Sequence, residues 1–122
     1  MAWNLNSDRP IFIQIVERIE MDIISGKYKP GDKLPSVRDL AAEAAVNPNT
    51  MQKAFSELER TGLVFSQRTT GRFITEDTSM IDELKSTLAK DKITELLSFM
   101  QQLGFQENEI LAMIGQTMKG EK

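Results

Sequence analysis

The residues with the most chemistry to offer are amides, hydroxyls and cations. Asn47, Asn49, Thr50, Gln52 and Lys53 fall within seven positions of one another. An Asn or Gln amide can pair bidentately with adenine, a hydroxyl reaches bases or phosphates, and a lysine reaches guanine or phosphate. Ser36 and Arg38 stand a short way upstream, and Arg68 and Arg72 flank Thr69, Thr70 and Gly71. This chemistry recognises and does not transform. The chain has no Cys and no His, which removes disulfides, thiolate and imidazole metal ligands, and the commonest nucleophiles and proton shuttles. No G-x-S-x-G, S-x-x-K or Gly-rich phosphate loop occurs, and the carboxylates are scattered singly. The reading is therefore of a non-enzyme with no metal and no cofactor.

At 122 residues, 40% hydrophobic and 27% charged, the chain has length for one compact core and an appendage. No run of about 18 apolar residues is present to cross a bilayer, and MAWNLNSDRP lacks the regions of a signal peptide. A cytoplasmic protein with no membrane partner is expected. The net charge of −3 sits awkwardly with a polyanionic partner, and acidity is spread over both parts of the chain. Where the bases stand therefore matters more than their sum.

Those side chains need elements to hold them. Ile11, Ile15, Ile19 and Ile23 recur at helical spacing after Pro10, with Gly26 as the stop. Lys27, Lys29 and Lys33 lie in the turn-rich stretch KYKPGDKLP, where they read as solubilising charges. Ser36 caps a short second helix reaching about Ala44. Asn47 and Pro48 open a third that runs to about Arg60 and ends at Gly62. Two capped helices across a short turn make a helix-turn-helix. Met51, Phe55 and Leu58 fall on the core face of the third helix, opposite its polar residues. The run LVFSQRTTGRFIT then reads as a hairpin, with Leu63, Phe65 and Phe73 returning to the core and Gln67 to Arg72 projecting as a wing. The fold class expected is mainly α with a small β-hairpin wing.

From Ser79 the texture changes. Ser79 and Asp82 are spaced as a capping box, and Leu84 and Leu88 continue a stripe from Ile81. A second stripe of Ile93, Leu96, Leu97, Met100 and Leu103 is rotated against the first, which predicts a kink or break near Asp91. Gly104 ends the segment, and Ile110, Leu111, Ile114 and Met118 belong to a last amphipathic helix. The expected domains are thus residues 1–77, a winged helix-turn-helix, and residues 78–122, a helical dimerisation segment. Stripes this broad, with no core of their own, must be buried against something.

GDKLPSVRDLA, then VNPNTMQKAFSELERTGLV, then GRFIT, preceded by PIFIQIVERI and SGKYKPGDKLPS, resembles the DNA-binding domain of the GntR family of bacterial regulators over roughly residues 8 to 76. The resemblance implies a winged helix in which Arg38, Asn47, Asn49, Thr50 and Gln52 contact DNA, and in which Gly71 is the wing glycine. Two departures from the family's wing pattern R-G-x-G-T-F-V stand out: Thr69 replaces the first Gly and Arg72 replaces the Thr. Size and tail resemble the short YtrA subfamily, which implies dimerisation through the tail and repression of operons, often ones for ABC transporters. The partners expected on this footing are double-stranded operator DNA, a second copy of the chain and an unidentified small-molecule effector. Acidic net charge and the altered wing keep a second reading open, that of a winged helix serving only as a protein-interaction module.

Overall fold

The computed structural model describes residues 3–120, which divide into two compact units, one reaching to Glu83 and the other beginning at Leu84. In the first unit, α1 (Ile11–Ile24), α2 (Val37–Ala44) and α3 (Pro48–Arg60) precede a hairpin of β1 (Val64–Gln67) and β2 (Gly71–Ile74). This is a winged helix-turn-helix, and the chain is mainly helical.

The local rules that shape these elements are visible in their ends. Ser36 Oγ accepts the Asp39 N–H at 3.0 Å, and Asn47 Oδ1 accepts the Asn49 N–H at 2.7 Å, so both helices of the pair start on side-chain caps. Ala45 ends α2 in the left-handed region at φ 61°, which turns the chain sharply toward α3. Ile15, Ile19, Leu40, Met51, Phe55 and Leu58 are almost fully buried where the three helices meet. Each such side chain contributes about 1.5–3 kcal/mol of burial.

The hairpin pairs Val64 with Ile74, Phe65 with Phe73, Ser66 with Arg72 and Gln67 with Gly71. A third stretch covers the other side of β2. Leu34 N–H donates to the Arg72 carbonyl at 2.8 Å and Ile74 N–H donates to the Asp32 carbonyl at 2.8 Å. Two strands alone are marginal in water, and this backing ties the wing to the segment that leads into α2. Phe65 departs from the expected inward position. Val64, its neighbour in the strand, is the buried residue, so Phe65 faces outward and stacks on Phe73 with ring centres 5.9 Å apart.

An N-terminal arm lies across the helices. Gln14, buried in α1, accepts the Asn6 N–H at 2.8 Å and donates to the carbonyls of Asn6 and Arg9. Further out, the Trp3 indole N–H reaches Glu43 Oε2 at 3.0 Å, with the Arg18 guanidinium 4.7 Å from the ring centre.

Two expectations about the later helices are corrected. Helix α4 (Thr78–Gln102) is unbroken for 25 residues, so no break falls at Asp91. It contains neither Pro nor Gly, and an exposed helix can let its apolar stripe drift without interrupting its hydrogen bonds. Its cap is Asp77 rather than Ser79: Asp77 Oδ1 accepts the N–H groups of Ser79 and Met80 and the Ser79 hydroxyl. These bonds hold the Asp77 carboxyl below its ordinary pKa, the Ser79 hydroxyl contributing most. In the second unit, α5 (Glu107–Met118) starts where the Glu109 carboxylate accepts the Gln106 N–H at 2.8 Å. Among the described residues no helix is long and apolar enough to cross a membrane.

Candidate nucleic-acid interface

Between the start of α2, the exposed side of α3 and the wing runs an open groove of about 770 Å³. Its walls carry Lys33, Ser36, Arg38, Asp39, Gln52, Thr69, Thr70, Gly71 and Arg72, with Leu34, Pro35, Val37 and Phe55 as apolar lining. Lys33 and Arg38 stand there against Asp39, and the third cation, Arg72, is matched by Glu59 of α3, in a chain whose total charge is negative. The groove therefore gathers positive charge that the sum over the sequence conceals.

Ser36 and Arg38 enter from the first turn of α2. The Ser36 oxygen is used as the cap, which leaves its O–H to donate outward, and the helix start itself favours an anion. Arg38 is exposed. Gln52 enters from α3, tied only loosely to the Ser56 hydroxyl at 3.4 Å, so its amide is available for a base edge.

The other expected contacts are distributed differently. Asn49 is exposed one turn above Gln52, whereas the Asn47 carbonyl oxygen is occupied in capping α3, which leaves chiefly its amide N–H groups to offer. Asn47 and Thr50 border a separate recess of about 400 Å³ with Trp3, Leu5 and Val46. Lys53 is exposed, with its ammonium 4.1 Å from the centre of the Phe12 ring on α1. Arg68 is exposed at the wing tip.

At the wing, Gly71 has φ +118° and a side chain there would meet Lys33 Cε at 2.9 Å. Lys33 therefore crosses directly beneath the wing, into the groove. Sequence reading set Lys33 aside as a solubilising charge; the signal that could have singled it out is its place just before the Leu-Pro-Ser that opens α2. Thr69 occupies φ 65°, a conformation costly for a β-branched residue, at the position where the family pattern carries glycine. Arg72 does not project with the loop. It stands in β2, half-buried, with its Nε–H on Glu59 Oε1 at 2.5 Å and its guanidinium 5.2 Å from the Phe55 ring centre. Glu59 is thus a second residue that sequence reasoning missed.

In the second unit, Met100 and Ile110 are buried, Leu84, Leu88, Leu97 and Ile114 half-buried, and Ile93, Leu96, Leu103 and Leu111 exposed. Phe99, absent from the expected set, is also 57% exposed.

A capped helix pair beside a basic groove and a β-hairpin defines a winged-helix DNA-binding transcription regulator. The profile of the family described as "Bacterial regulatory proteins, gntR family" matches residues 13–74. The chain is 40% identical over 111 residues to an uncharacterized HTH-type transcriptional regulator, YhcF, of Bacillus subtilis, covering 91% of this chain and 92% of that one. It is 41% identical over 97 residues to the HTH-type transcriptional repressor YtrA of the same organism, covering 80% and 70% of the two chains. Among solved structures, a GntR family transcriptional regulator from Listeria monocytogenes superimposes with a TM-score of 0.87 at 39% identity, over 92% of this chain and 98% of that one. The chain belongs to the GntR family of bacterial transcription regulators, and it is not an enzyme.

Proposed function

We propose that this regulator is a repressor that binds a near-palindromic operator as a homodimer, with the groove between α2, α3 and the wing as its DNA-binding face. The observation that carries this reading is the convergence of Ser36, Arg38 and Gln52 with Lys33 and the wing on one groove. Ser36, Arg38 and Lys33 offer an anion-binding rim, and Gln52 offers base discrimination. Asn49, Thr50 and Lys53 extend that face along α3, Asn47 adds amide donors at its start, and Arg68 serves the adjacent backbone or minor groove from the wing tip.

Dimerisation is supported by the second unit. Ile93, Phe99, Leu103 and Leu111 are each more than half exposed, an apolar display that water penalises until a partner covers it. Leu84, Leu88, Leu96, Leu97, Met100, Ile110 and Ile114 share these helices and complete the proposed segment. A two-fold dimer would set two recognition helices about one DNA turn apart, roughly 34–36 Å. Repression is suggested by the name of the B. subtilis relative YtrA, and a transporter operon by the resemblance to its subfamily. The place of action is the cytoplasm, where bacterial DNA lies. A small-molecule effector completes the proposal, without an assigned site.

The test is gel-shift affinity for the region upstream of the protein's own operon against random duplex, across salt concentrations. Specific binding should exceed non-specific binding by about 10³-fold or more. Equal affinity at every salt concentration removes the operator reading and moves the chain to a protein-interaction role.

A further inference from the structure

Glu59 lies near the end of α3, away from the polar residues at its start, and both of its carboxylate oxygens are used. Oε1 accepts the Arg72 Nε–H at 2.5 Å and Oε2 accepts the Ser66 hydroxyl at 3.0 Å. Ser66 and Arg72 are directly opposite each other in the hairpin, so one carboxylate spans both strands of the wing. Arg72 also covers the Phe55 ring of α3, and its backbone carbonyl receives the Leu34 N–H from the segment before α2. The recognition helix, both wing strands and the approach to α2 thus meet at a single ion pair.

We infer that Glu59 and Arg72 form a clasp that fixes the wing against the recognition helix, making Glu59 a positioning residue for DNA binding. The inference rests on the groove being the DNA-binding face. With side-chain exposures of 26% for Arg72 and 32% for Glu59, the pair is partly withdrawn from water and less screened than an open surface pair. Its hydrogen bond is charge-assisted, the stronger and more directional kind. Val64 and Ile74, both buried, anchor the base of the wing, and the clasp adds a side-chain tie at the Ser66–Arg72 rung, next to the exposed tip.

The sign of the effect separates this role from plain electrostatics. Glu59 is an anion beside a face that meets phosphates, so neutralising it should strengthen binding if charge alone mattered. The clasp requires the opposite.

The probe is a fluorescein-labelled duplex obtained by in vitro selection against the full chain, read by anisotropy from about 50 to 200 mM salt. Glu59→Gln and Arg72→Gln should each weaken binding about tenfold, the double variant should be no weaker than either single one, and the salt slope should stay at the parent value. Hydrogen exchange should quicken at the amides of residues 65–72 in Glu59→Gln while α1 and α3 keep their protection. Ser66→Ala, which removes only the second bond, should show a smaller loss of the same kind and serves where Glu59→Gln does not fold. Binding by Glu59→Gln as tight as the parent's, or tighter, overturns the inference. So do unchanged wing exchange, and additive losses in which Arg72→Gln lowers the salt slope by about one, which would make Arg72 a phosphate contact. A parent that does not prefer the selected duplex to a scrambled one refutes the DNA reading and the positioning role together, while the exchange data still decide whether the clasp holds the wing.

Discussion

Replacing Gly71 by alanine probes the wing and the groove at once. Gly71 holds φ +118°, where an L side chain is strained, and the new Cβ would lie 2.9 Å from Lys33 Cε and 3.7 Å from Lys33 Nζ. The backbone term is about 1–3 kcal/mol. The steric term is small in energy, because the atom in the way sits near the free end of a flexible side chain. It still moves the ammonium that the groove would lose. Gly26, just past the end of α1, supplies the control: it has φ +91° with nothing within 4 Å of its would-be Cβ, so Gly26→Ala carries backbone strain without any effect on Lys33. Urea denaturation followed by far-UV circular dichroism should show both variants destabilised by about 1–3 kcal/mol. Anisotropy on the selected duplex should show weakened binding for Gly71→Ala alone. A Gly71→Ala protein with the parent's urea midpoint would refute the strain argument. An unchanged affinity would refute the placement of Lys33 at the DNA-binding face.

Further outcomes follow from the same geometry. Arg38 is exposed, so Arg38→Ala should leave the melting temperature unchanged and reduce the slope of log affinity against log salt by about 0.9, as one lost phosphate contact requires. Gln52→Ala should relax preference at one base position by about 1–3 kcal/mol in a binding-site selection, with little change at the others. Leu96 and Leu103 are 43% and 58% exposed, so Asp at both should leave the fold intact and yield a monomer in sedimentation; an unchanged dimer mass would remove the second unit as the interface. Glu20 is partly buried and lies near Glu17 and Glu57, which raises its carboxyl above the ordinary value of 4.5, burial contributing most. A raised acid binds more protons folded than unfolded, so it costs stability as pH rises through that window. Glu20→Gln should therefore raise the urea midpoint at pH 7, the gain fading as pH falls through the raised folded-state value and vanishing below 4.5.

What the chain declared in advance was whatever is decided within a few residues. Ser36, Asn47, Pro48 and Gly62 mark the helix pair because caps, first-turn prolines and terminal glycines act over a single turn. Met51, Phe55 and Leu58 announced the core face of α3 by their spacing alone. Arg72 was misplaced because its partner, Glu59, is thirteen residues away and meets it only once the hairpin folds back. Lys33 was undervalued for a similar reason, since its position beneath Gly71 depends on backbone pairing that no local pattern encodes. The expected break in α4 came from demanding one continuous apolar stripe of a helix whose residues 91–96 are all exposed. The Asp77 cap was passed over because Ser79 and Asp82 offered the same spacing two residues later.

The arm that carries Trp3 gives the molecule an optical handle. The chain's single tryptophan is buried, hydrogen-bonded to Glu43 and covered by Arg18, and it borders the recess that Asn47 and Thr50 share. Indole emission is set by local field and solvent exposure, and a polyanion docked at the start of α3, as proposed above, would alter the field at Trp3. The native protein can therefore be titrated with unlabelled duplex and read by its own fluorescence, at a position that reports on the recognition helix rather than on the wing.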